Sequence, residues 1–136
     1  MKLMKLLCLL ILFALTACAH VGEQKKLEHL DAKQKLFMKA LRWKSYDMAA
    51  SVVRFKNPAR TLAKWDYLNK ITVTSYELIT SQSNLKEGTA LAYVMFAYVQ
   101  DETGRVYKLK HRQNWWFDDE SKQWFLGSDM PVFKLD

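Results

Sequence analysis

Cysteine is nearly missing from this chain of 136 residues: Cys8 and Cys18 are the only two, and none follows residue 18. The body of the protein therefore has no disulfide, no cysteine nucleophile and no thiolate metal site. Glycine is scarce as well, and no GxSxG, GxGxxG or Walker-type loop can be found around the four present. His20, His29 and His111 lie far apart without ligand-like spacing, so neither a metal site nor a cofactor is indicated. There is no internal repeat and no low-complexity tract. The longest apolar run, Leu6–Ala17, falls short of the ~20 residues that a helix needs to cross the ~30 Å hydrocarbon layer.

What is present begins with that run. Lys2 and Lys5 precede it and no further charge appears before Glu23, the layout of a secretory signal. Leu15-Thr16-Ala17-Cys18 resembles the lipobox of bacterial lipoproteins. The resemblance implies cleavage before Cys18, acylation of its sulfur and its new amino group, and attachment to a membrane through palmitate-type chains. Residues 1–17 are then a signal peptide, 18–24 a small polar lipidated tether, and 25–136 a single domain. Ala19, where an aspartate would favour inner-membrane retention, implies the outer membrane, with the domain facing the periplasm. Loss of Lys2 and Lys5 lowers the formal charge of +7 by two, which leaves a basic domain. In that setting nucleic acid is not an expected partner, whereas anionic headgroups, lipopolysaccharide phosphates or an acidic protein are.

The domain opens with Leu27, Leu30, Phe37 and Leu41 at helical spacing, which predicts an amphipathic helix over about 23–43. Ser45 is placed to cap a second helix over 46–53 that turns Met48, Ala49, Val52 and Val53 inward. Asn57-Pro58 predicts a turn that starts a third helical piece running through Trp65 and Leu68. From Ile71 the period changes from 3.6 to 2. Strands are expected at 71–80, 89–100, 105–117 and 123–127, with polar turns at 81–88, 101–104 and 118–122. Helices followed by a meander predict an α+β fold, with the N-terminal helices packed on a curved antiparallel sheet of four or more strands.

Closing the 101–104 loop sets Gln100 opposite Arg105. Tyr98, Phe96, Val94, Ala92 and Ala90 then share a face with Tyr107, Leu109, His111, Gln113 and Trp115. Trp124 and Leu126 fall beside Phe117 and Trp115. The other face carries Tyr93, Met95 and Ala97 next to Lys108, Lys110 and Arg112. A slip of one residue would reverse one strand.

Short helices ahead of a curved meander resemble the nuclear transport factor 2-like fold, a cone-shaped (cystatin-like) α+β roll, over about residues 27–133. Arg112-Gln113, Trp115, Asp118, Trp124, Leu126, Met130-Pro131 and Phe133 are similar to proteobacterial lipoproteins of that type, a group with no assigned activity. The fold hosts enzymes and binding modules alike. Two readings follow. In the first, a lipid-anchored, non-enzymatic envelope module binds a partner protein or a small apolar ligand. Its pocket candidates are His111, Gln113, Trp115, Phe117, Trp124 and Phe96. Its interface candidates are Tyr93, Met95, Lys108, Lys110 and Arg112, with a homodimer or an envelope protein covering the apolar outer side of the second strand. In the second, an isomerase- or dehydratase-like enzyme uses His111, aided by Tyr98, in the sheet cavity.

Overall fold

A computed structural model describes the backbone of residues 1–136 and the side chains of residues 1–9, 11 and 21–136. The side chain of Cys18 lies outside the described residues. The chain forms helix α1 (Lys2–Arg42), helix α2 (Tyr46–Val52), a 3-10 turn (Asp66–Lys70), and strands β1 (Ile71–Asn84), β2 (Thr89–Gln100), β3 (Val106–Asp118) and β4 (Gln123–Leu126). The strands make one antiparallel sheet in the order β1-β2-β3-β4, a plain meander. The architecture is α+β, with the helices packed on one side of a curved sheet. Two register shifts in β1, at Val73/Ser75 and Leu78/Thr80, supply bend and extra twist.

α1 buries a stripe of Leu30, Gln34, Phe37, Met38 and Leu41, one residue or two per turn, and leaves its lysines outside. The expected member Leu27 is 44% exposed, because the sheet meets the helix only from about Lys26 onward and on another side. Residues 21–24, expected in the tether, continue the helix. The helix ends where Lys44 takes φ +56°. The amide of Ser45 donates to Ala40 O at 2.8 Å and that of Lys44 to Leu41 O at 3.3 Å, which satisfies carbonyls that the last turn leaves open.

α2 buries Tyr46, Ala49 and Val52, while Met48 points outward and is 50% exposed. The Tyr46 hydroxyl donates to Leu68 O at 2.8 Å and so ties α2 to the 3-10 turn. Burial, and secondarily the Asp101 carboxylate, push the Tyr46 pKa up to about 12. No helix starts at Asn57-Pro58; the Asn57 side chain caps a local turn by accepting from the Ala59 amide at 3.0 Å. Ser81–Asn84, expected in a turn, belong to β1 and pair with Thr89–Ala92. Ladder hydrogen bonds to β2 hold this polar stretch extended despite its composition.

The pairing of β2 with β3 is the expected one, with Ala90 opposite Trp115, Val94 opposite His111 and Tyr98 opposite Tyr107. Phe117 faces Trp124 and Trp115 faces Leu126. Every second residue of β2 is buried, so one face of the sheet is the core and the other is not. After β4 the chain crosses the inner face. Phe133 packs edge-on against Tyr98, with ring centroids 4.8 Å apart, and lies 5.9 Å from the ring of Phe96. The core is thus closed by α1 on one side and by residues 130–133 on the other.

Candidate functional site

The two faces of the sheet divide the candidate residues. On the inner face a polar chain threads the aromatic core. His111 Nε2 lies 3.1 Å from Asp129 O, and a carbonyl can only accept, so Nε2 carries the proton. Nδ1 then accepts from Gln113 Nε2 at 3.3 Å, and Gln113 Oε1 accepts from Trp115 Nε1 at 3.1 Å. Both imidazole nitrogens and both ends of the Gln113 amide have partners. Burial drives the His111 pKa down from 6.5 to about 4, against the opposing influence of the Asp129 carbonyl. The imidazole is therefore neutral near pH 7.

Around this chain the core is packed with aromatic rings. Phe37 and Phe96 stand with ring centroids 6.3 and 6.2 Å from that of His111, and Phe96, Gln113 and Trp124 are fully buried. The small residues Ala90 and Ala92 are buried, and Ala90 borders the cleft described below. Tyr98 shares the face with His111 but not a bond: its hydroxyl accepts from the Lys134 amide at 2.8 Å. Phe117 is half-buried under the Lys26 ammonium, 4.4 Å from the ring centroid, and packs edge-on to Trp124 at 5.4 Å. No carboxylate bonds to His111; Asp129 offers it only a backbone carbonyl, while its Oδ2 accepts from Arg60 at 2.7 Å.

The outer face gathers all five interface candidates. Lys108, Lys110 and Arg112 stand opposite Ala97, Met95 and Tyr93 on the neighbouring strand. Tyr93 and Met95 are half-buried, since long side chains lean across them, as the Lys110 ammonium does 4.8 Å from the Tyr93 ring centroid. Glu77 of β1 is the one carboxylate paired into this stretch, opposite Met95. Among the described residues, Lys108, Lys110 and Arg112 make no ion pair.

Toward the β1–β2 turn this face runs into a cleft of about 710 Å³. Thr89 and Leu91 of β2 lie in its bed, with Gln82 and Asn84 of β1 on one flank and Asn114 and Trp116 of β3 on the other. Segment 55–60 forms the far wall. That segment is held in place where Arg54 N donates to Leu126 O at 2.9 Å and Trp116 Nε1 donates to Arg54 O at 2.7 Å. The wall brings Lys56 and Arg60 to the cleft, and the sheet brings Arg112. Of the residues around the cleft, Arg112 and Trp115 are candidates from the sequence, whereas Lys56, Arg60, Asn114 and Trp116 are not. The only local signal for them is the Arg54-Phe55-Lys56 alternation of cation and ring.

Among the described residues no cluster of three or more His, Cys, Asp or Glu stands ready to hold a metal, and no helix is long and apolar enough to cross a membrane. No protein-family model, curated protein or solved structure matches the chain.

Proposed function

We propose that this chain is a non-enzymatic binding module of the bacterial cell envelope. In this reading it is anchored in the outer membrane by lipid on Cys18, faces the periplasm, and meets a partner protein with the outer face of its sheet. One observation carries the reading: the inner face is spent on a closed core, whereas the outer face keeps three cations without ion pairs beside half-buried Tyr93 and Met95. Such a mixture of basic and apolar groups suits a protein contact surface. The anchor is supported by the lipobox-like Leu15–Cys18. The exposure of Leu3, Leu6 and Leu9 on α1, at 85%, 62% and 64%, agrees with a leader that is removed rather than packed. An enzyme built on His111 would need an open cavity and a second titratable group beside it, and both of its ring nitrogens are already bonded.

Two variants test this reading. Cys18→Ser should abolish palmitate labelling and release the protein from membranes; unchanged fractionation would defeat the anchor. Met95→Glu puts a carboxylate into an apolar contact, where desolvating an unpaired charge is costly. Crosslinked envelope complexes are expected for the parent and should be missing for this variant, with the melting temperature left in place. Intact complexes would defeat the interface.

A further inference from the structure

The cleft at the end of the outer face has a lining of one charge sign. Lys56, Arg60 and Arg112 contribute cations, and no carboxylate lines it. Arg60 shares its charge with Asp129 through a 2.7 Å ion pair, whereas Lys56 and Arg112 have no ionic partner among the described residues. Lys56 is not adrift. Its ammonium sits 5.7 Å from the Trp116 ring centroid, and that ring is fixed by its bond to Arg54 O.

The amides add direction. Asn57 Oδ1 accepts from the Ala59 amide at 3.0 Å and Asn84 Oδ1 from the Glu87 amide at 3.3 Å, which orients these side chains and leaves their N–H groups open to a ligand. The cleft therefore presents donors and positive charge around a bed that includes the Leu91 side chain. Its complement is a molecule rich in acceptor oxygens, negatively charged, with an apolar flank. Its volume is that of a small-ligand site.

A nucleotide's base is commonly held on an aromatic face; here the Trp116 ring is flanked by Phe125 at 5.5 Å and by Lys56, and the Phe55 ring carries Arg60 at 4.1 Å, so little ring surface is left for one. An extended acidic peptide would follow Lys108 and Lys110, which lie outside the cleft. A sugar phosphate meets each requirement: phosphate for Lys56 and Arg112, hydroxyl and ring oxygens for the amides, and a C–H face for Leu91. We propose that this cleft binds a phosphorylated saccharide. The inference rests on the outer face as the working surface and is independent of the lipid anchor.

The test is calorimetric titration of the full-length chain in nonionic detergent with phosphorylated core oligosaccharide released from lipopolysaccharide. Binding is expected to weaken at least tenfold when the oligosaccharide is dephosphorylated, and at least tenfold in Lys56→Glu or Arg112→Glu. Lys25→Glu, exposed on α1 and outside the cleft, should stay within twofold of the parent. Inorganic phosphate and poly-glutamate should each bind at least tenfold more weakly. Intact lipopolysaccharide bound more tightly than the released sugar supports the site with a glycolipid headgroup as the source; equal binding supports it with a free sugar. The proposal is overturned if the parent does not bind, if phosphate removal changes nothing, if poly-glutamate binds as tightly, or if the cleft variants match the parent. Both altered side chains are exposed, and Lys56→Gln and Arg112→Gln serve where a charge reversal lowers the melting temperature. Lost oligosaccharide binding with complexes at Met95 intact sinks this site alone, whereas loss of both readouts sinks the outer face as a whole.

Discussion

The indole N–H of Trp124 donates to the backbone carbonyl of Lys26 at 3.0 Å, joining the last strand to the first helix across 98 positions of chain. The same ring is fully buried and packs edge-on against Phe117. One side chain thus ties β4 to α1 and marks where the helix begins to touch the sheet.

Removing it should be expensive. Trp124→Ala is expected to lower stability by ~3–5 kcal/mol through the cavity it leaves. Trp124→Phe keeps most of the packing and loses the hydrogen bond, at about 1 kcal/mol beyond any loss of packing. Urea unfolding of the three proteins measures both steps, and an alanine effect under ~1 kcal/mol would show that the ring is not part of the core.

The depressed pKa of His111 makes stability depend on pH. Between its ordinary value of 6.5 and about 4 in the fold, the unfolded chain binds a proton that the native imidazole refuses. Stability is therefore full above pH 6.5 and falls as pH drops toward 4, by up to about 3 kcal/mol at ~1.4 kcal/mol per pKa unit. Asp101 and Asp118 have pKa values held below the usual carboxylate range, chiefly by hydrogen bonds from Thr72 and Ser121. Their own contribution is lost only at still lower pH. His111→Gln should flatten the decline between pH 6.5 and 4 in thermal melts. A parallel slope in the variant would assign the titration elsewhere.

Two turn glycines should respond differently to alanine. Gly88 has φ +65°, and a Cβ there would meet the Phe117 Cβ at 3.1 Å; Gly104 has φ +69° with nothing within 4 Å. Both variants carry the left-handed backbone cost of ~1–2 kcal/mol. Gly88→Ala carries a steric cost as well and should melt measurably lower than Gly104→Ala. Equal melting temperatures would mean that the Phe117 side yields freely.

The meander and its register were legible because short-range chemistry decides them. A four-residue loop ending in Gly104 sets Gln100 against Arg105, and alternation then carries the pairing to Ala90 and Trp115. Local signals misled where tertiary structure overrides them. Ser81–Asn84 look like a turn and are held as strand by β2, and Asn57-Pro58 looks like a helix start but only makes a turn. Leu27 and Met48 fit a helical stripe, yet their neighbours on the sheet side never arrive. The cleft was half legible. Arg112 shows itself by strand periodicity, but Lys56 and Arg60 reach the site because Trp116 and Leu126 hold the backbone of Arg54 from 62 and 72 positions away. No local pattern encodes those contacts.

α1 runs without interruption from Val21 into the segment that Trp124 and the core stripe fasten to the sheet. A jointed connection would let the body tumble beneath its attachment point, whereas a rod gives it a heading. For a chain anchored at Cys18, each residue inserted between Val21 and Lys26 would swing the outer face by about 100° around the rod and raise it by about 1.5 Å. Under that anchoring the bearing of the cleft relative to the bilayer would be a matter of helical phase, and a change of segment length by one or two residues would re-aim it while leaving the contacts of the sheet and its core in place.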